Sequence, residues 1–267
     1  MSAMRAIAAD EIHLWHARVP EQEDAALAAR HLALLTPDER QQHGRFAFER
    51  DRRRYLLTRA LVRTVLSRYA PVAPPDWRFE PNAHGRPAIV DDHPPARGLR
   101  FNLSHTDTFV VLAVTAGREI GIDVESTRRN APLEVADRFF SAHESAALRR
   151  LPEAEQPARF WELWTFKESY IKARGMGLSI PLHSFSFELE TPGDLSLSFE
   201  AGFETDIDNT PSCWQFWQFR LHAEFLVGVC AATTPPGPVR FTAAEVVPLR
   251  EDTASALAFT RRSSGLC

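Results

Sequence analysis

Apolar and polar positions along the chain fall into two runs of the same kind. Each run opens on a hydroxyl residue with a Glu three positions later, Thr36-Pro37-Asp38-Glu39 and Ser141-Ala142-His143-Glu144. This is the pattern of a capping box, in which the two side chains satisfy each other's free backbone N–H groups. Pro37 suits the first helical position. Apolar residues at helical spacing follow: Tyr55, Leu56, Leu61, Val62 and Val65 within 51–69, and Phe160, Leu163, Trp164 and Ile171 within 157–174. Each run then reaches an almost wholly apolar stretch, 108–115 and 224–232, short enough to read as a buried strand. The order of capping box, helix and strand hairpin therefore occurs twice, which predicts an α+β fold built from a duplicated unit.

Turn chemistry sets the boundaries. Gly117-Arg118-Glu119 closes the first half, and Thr233-Thr234-Pro235-Pro236-Gly237-Pro238 is a linker by composition. The organisation expected is a first half over 1–118, a second over 119–234 and a C-terminal extension over 235–267. Within that extension 239–247 would add one strand, and 250–267 would be a loose tail.

Composition narrows the class. The 267 residues are 44% hydrophobic and 25% charged, with a formal net charge of −4. Those proportions suit a soluble globular protein and supply no global basic field for nucleic acid. An anionic ligand must be held by a local basic patch. Cys213, Cys230 and Cys267 are odd in number and lack ligand spacing, so neither a disulfide framework nor a zinc site is expected. That fits a reducing cytoplasm. Residues 1–11 carry two acids and no long apolar core, unlike a signal peptide, and no apolar run could span a bilayer.

Three segments carry candidate chemistry. In Glu119-Ile120-Gly121-Ile122-Asp123-Val124-Glu125, strand alternation puts Asp123 and Glu125 on one face. Two carboxylates there repel each other unless a proton or cation intervenes, and all-oxygen ligands suit Mg²⁺. The alternative is a strand edge with ordinary surface acids. On a helix, Trp164, Glu168 and Lys172 share one face. They offer a further metal oxygen and a phosphate-binding ammonium, or else a common surface ion pair. Asn102-Leu103-Ser104-His105 leads into the first apolar strand and could bind phosphate, or could simply satisfy its own backbone as a turn.

In order and spacing, these three segments resemble the signature motifs of the Sfp-like class of 4'-phosphopantetheinyl transferases. The likeness runs from about Asp38 to Val247 and takes in Arg45-Phe46, Gly85-Arg86-Pro87, Arg138-Phe139-Phe140 and the stretch from Gly175 to Leu182. It implies two similar α+β halves in pseudo-twofold arrangement, with coenzyme A in the cleft between them. It also implies transfer of the phosphopantetheine arm of coenzyme A to a serine of an apo acyl or peptidyl carrier protein, releasing 3',5'-ADP. By motif, Asp123, Glu125 and Glu168 would ligate Mg²⁺. His105, with Ser104 beside it, would contact the phosphates. Lys172 would lie near the α-phosphate, Glu168 is the candidate base, and Arg54 and Arg86 would touch the nucleotide end.

The likeness has one gap. Lysines that grip the 3'-phosphate in some members are replaced by Glu39 and Gln42, with Arg40, Arg45, Arg52 and Arg53 as nearby substitutes. Arg128, Arg129, Arg149 and Arg150 are candidates for a positive surface facing an acidic carrier, or for a solvated face. The expected enzyme is a cytoplasmic monomer serving fatty-acid, polyketide or nonribosomal peptide synthesis. The chain has no GxGxxG, P-loop, HExxH or GxSxG motif, which removes support from other enzyme classes. A rival reading is a degenerate, non-catalytic binder of coenzyme A or carrier protein.

Overall fold

The computed structural model describes every residue except 1–3, 23, 91–95, 190–194, 201, 204–208, 235 and 264–267. In chain order the first elements are β1 (Glu11–Arg18), α1 (Ala25–Leu32), α2 (Pro37–Arg45), α3 (Glu49–Leu66), β2 (Phe79–Pro81), β3 (Pro87–Ile89), β4 (Leu99–His105) and β5 (Phe109–Ala116). There follow β6 (Ile120–Ser126), α4 (Ala136–Phe139), α5 (Ala142–Arg150), α6 (Gln156–Arg174), β7 (Phe185–Glu188) and β8 (Ser196–Phe199). The chain continues through β9 (Trp214–Leu221), β10 (Phe225–Ala232), β11 (Arg240–Val247), β12 (Glu251–Ala254) and β13 (Ala258–Arg262). The fold is α+β, as the pattern predicted.

Two compact units divide it. The first comprises Met1–Glu80, Pro87–Gly117 and Val239–Ala256; the second comprises Pro81–Arg86, Arg118–Pro238 and Leu257–Cys267. The first holds a five-stranded sheet of order β12-β11-β1-β5-β4. Helix α3 buries Leu57, Leu61, Val62 and Val65 in a core with Trp15, Phe101, Leu112 and Val114. The second holds a four-stranded sheet of order β13-β9-β10-β6. There α6 buries Phe160, Leu163, Phe166 and Tyr170 against Phe140, Phe185, Phe216 and Leu226.

Both capping boxes form. Glu39 N donates to Thr36 Oγ1 at 3.2 Å and Thr36 N to Glu39 Oε2 at 3.0 Å; the Ser141/Glu144 pair gives 3.1 and 2.9 Å. Each box opens a short helix, α2 or α5, and the long helix follows it.

The C-terminal stretch departs from the sequence expectation. The strand expected over 239–247 forms as β11 and pairs in parallel with β1, but in place of a loose tail β12 pairs with β11 and β13 with β9. Sheet edges leave N–H and C=O groups open, and an exposed polar strand can satisfy them with little apolar burial. That is why the composition of this segment did not reveal it. The end of the expected tail, residues 264–267 with Cys267, lies outside the described residues. Among the described residues no helix is long and apolar enough to cross a membrane.

Candidate active site

Strand β6 is the edge strand of the second unit's sheet, and its alternation decides which groups meet α6. Gly121, Asp123 and Glu125 fall on one face. Their register partners on β10 are Cys230, Gly228 and Leu226. Two of these six positions are glycines, and α6 lies directly over both. A Cβ on Gly121 would stand 2.0 Å from the Ser169 carbonyl oxygen and 2.3 Å from the Ala173 nitrogen. One on Gly228 would stand 2.6 Å from the Thr165 carbonyl oxygen. Thr165, Ser169 and Ala173 are spaced by four and form the stripe of small residues that rests on the glycines. The adjoining row on the helix is Trp164, Glu168 and Lys172. Backbone-to-backbone contact thus carries Glu168 and Lys172 to the acidic face of β6.

The acidic cluster is partly buried. Lys172 Nζ donates to Asp123 Oδ1 at 2.6 Å, and Asp123 is only 4% exposed. Burial, and after it the Asp123 charge, pushes Glu125 up to about 7, with Arg129 and Lys172 opposing. Burial and Asp123 likewise push Glu168 up to about 7, against Lys172. Arg129 Nη1 is 3.5 Å from Glu125 Oε2. Three carboxylates therefore converge with one lysine, and two of them hold protons near neutrality because negative charge is crowded out of water. An all-oxygen donor set under that strain fits a small hard divalent cation, whose charge would replace the protons.

The remaining candidates stand on other elements. In the first unit Ser104 is buried and His105 exposed, consecutive at the end of β4. Arg54 faces Asp107 at 3.0 Å and Asp51 at 2.9 Å. Glu39 is committed to its capping box and to Arg63 Nη2 at 2.7 Å. Arg86, in the second unit, has a placement the nucleotide-end reading did not anticipate. Its Nη1 donates to Glu119 Oε2 at 3.1 Å and Ala173 O at 3.0 Å, and its Nη2 to Ile120 O at 3.1 Å. Asn82 Nδ2 donates to Gly175 O at 2.6 Å. Gly175 is the left-handed cap that ends α6. The 81–86 turn thus fastens the end of α6 to the start of β6.

The arginines read as a carrier-facing patch are partly neutralised. Arg128 meets Glu224 at 2.7 Å, Arg129 meets Glu125, and Arg149 bonds Asp137.

Sequence reading missed the two glycines and the fully buried Lys167. Gly121 was legible in principle, two positions before Asp123 and so on its face. Lys167 was legible too, since it falls in the apolar row of Phe160, Leu163 and Tyr170 and not in the Trp164/Glu168/Lys172 row.

Residues 119–230 match the family model of the 4'-phosphopantetheinyl transferase superfamily, and residues 19–117 match that of the 4'-phosphopantetheinyl transferase N-terminal region. The chain is 36% identical over 203 residues to 4'-phosphopantetheinyl transferase Sfp of Bacillus subtilis, covering 76% of this chain and 84% of that one. It is 38% identical over 171 residues to 4'-phosphopantetheinyl transferase HetI of Nostoc sp., covering 64% and 71%. The chain belongs to the 4'-phosphopantetheinyl transferase superfamily, as an enzyme of its Sfp-like class.

Proposed function

We propose that the chain transfers the 4'-phosphopantetheine of coenzyme A to the serine hydroxyl of an apo acyl or peptidyl carrier protein, with Mg²⁺, releasing 3',5'-ADP. The observation that carries this reading is the convergence of Asp123, Glu125 and Glu168 with Lys172. A binder without chemistry has no use for three crowded carboxylates whose repulsion works against its own stability.

Asp123, Glu125 and Glu168 would hold the Mg²⁺. When bound, the ion would supply Lewis-acid neutralisation of phosphate oxygens. Phosphoryl transfer asks the protein mainly for positioning and charge compensation. Lys172, bonded to Asp123, would supply an ammonium to offset the charge that gathers on the leaving phosphate. Glu168 is proposed to accept the serine proton, directly or through water. In the first unit His105 and Ser104 are proposed for the phosphates and Arg54 for the nucleotide end. Arg86 belongs to this set as the residue that holds α6 in place.

The acceptor is proposed as an acidic carrier of fatty-acid, polyketide or nonribosomal peptide synthesis, and the working form as a cytoplasmic monomer. The test is incubation with apo carrier, coenzyme A and Mg²⁺, read by intact mass. The phosphopantetheine mass gain on the carrier serine, lost with a chelator, supports the proposal; no gain with any apo carrier overturns it. Light scattering over a dilution series beside that assay checks the monomer.

A further inference from the structure

The first unit contains a cavity that the transferase chemistry does not use. Helices α1 and α3 and the C-terminal ends of β1 and β11 line about 270 Å³. Of the residues named above for coenzyme A or metal, Arg53, a nearby substitute for the 3'-phosphate lysines, is the one that takes part in the lining. The volume sits just below the range of about 300–1,000 Å³ typical of drug-sized ligand pockets, so an occupant must be small. The walls are mainly apolar, with Leu27 from α1, Leu56 and Leu57 from α3, and Val246 from β11.

Among the described residues of the lining, charge is out of balance by one cation. Arg250 is bonded to Asp24, and Arg18 Nε stands 3.7 Å from Glu245 Oε1. His31 Nε2 donates to the Pro248 carbonyl at 3.0 Å. Arg53 differs from the other two arginines. Its one hydrogen bond runs from Nη1 to the neutral carbonyl of Glu21, and its Nε–H is enclosed without an acceptor. A buried donor left without an acceptor costs more than a made hydrogen bond gains, so such groups call for a partner. A neutral apolar occupant would leave Arg53 as it is, and a dianion would overshoot the single excess charge.

We propose that this cavity is a binding site for a small aliphatic carboxylate, with the carboxylate on Arg53 and the hydrocarbon against Leu27, Leu56, Leu57 and Val246. Guanidinium and carboxylate match in charge and in fork geometry, and the apolar walls select a short chain over a purely inorganic anion.

Isothermal titration of the full chain with octanoate, octan-1-ol and inorganic phosphate tests this. Octanoate should bind saturably at one per chain, with octan-1-ol and phosphate each at least about tenfold weaker. Arg53→Gln should weaken octanoate at least about tenfold, Arg53→Lys should recover part of the loss, and Ala28→Phe should block binding by filling the cavity. Thermal melts of each variant establish that it is folded. No saturable binding of octanoate, equal binding of octan-1-ol, or unchanged affinity in folded Arg53→Gln overturns the proposal. So does displacement of octanoate by 3',5'-ADP, which would make the cavity part of the nucleotide site.

Discussion

Lys167 Nζ lies 2.7 Å from Glu144 Oε2, and neither side chain has any exposure to solvent. The lysine completes its shell with the carbonyls of Leu182 and Phe185, each at 2.7 Å. The glutamate also accepts from Ser141 N at 2.9 Å and Phe187 N at 2.8 Å. Burial pulls the lysine pKa down while the Glu144 charge opposes it. The first unit repeats the device, where the capping-box Glu39 meets the buried Arg63 of α3 at the same 2.7 Å. In both units the Glu that starts the short helix also anchors a base of the long one. In the second, Lys167 is the neighbour of Glu168, so the pair holds α6 in the rotation that presents Glu168 and Lys172.

Breaking that pair on one side should be costly. Lys167→Met should destabilise the protein by about 3–5 kcal/mol in urea, because it leaves a carboxylate buried without its cation. Combined with Glu144→Gln the loss should be smaller than the sum of the single losses. Additive losses would show that the two groups do not act as a pair.

Gly121→Ala should damage both fold and site. The new methyl would meet Ser169 O and Ala173 N of α6, backbone atoms that cannot rotate away. Lifting the helix should cost about 1–3 kcal/mol or more and should reduce transfer beyond what the fraction unfolded explains. Ala at Gly44, which has open space around it, is the control and should be silent.

Lys172→Ala should lower kcat by about 10²–10³, with a smaller effect on coenzyme A binding. Charge on the leaving phosphate is greater in the transition state than in the ground state. A change confined to KM would assign Lys172 to ordinary substrate binding.

Stability without metal should fall as pH rises from about 4.5 to about 7. Glu125 and Glu168 ordinarily titrate at 4.5, and the folded protein holds both up to about 7. Across that window the unfolded chain has released protons that the folded one still binds, so the slope of stability with pH is negative, and it flattens above the window. Asp123→Asn removes a charge that raises both groups, so it should flatten the slope while abolishing transfer. Stabilisation by Mg²⁺ should show the opposite trend, growing with pH as the ligands ionise. Melting curves across pH, with and without Mg²⁺, check both signs.

Much of this protein is determined by local sequence. Thr36/Glu39 and Ser141/Glu144 begin helices because a hydroxyl and a carboxylate three residues apart satisfy N–H groups within their own turn. Alternation in 119–125 puts Asp123 and Glu125 on one face because strand geometry has a period of two. The motif set from Asn102 to Lys172 was enough to identify the family. Other features depended on contacts distant in sequence. The strands of 251–262 exist because β11 and β9 offer edges to pair with. Arg86 meets Glu119, Ile120 and Ala173 because the 81–86 turn joins the second unit. Glu125 and Glu168 are pushed up to about 7 by burial and by the Asp123 charge, and that burial depends on α6 settling onto Gly121 and Gly228. A carboxylate's charge state is set by what surrounds it in space, and no spacing along the chain specifies that.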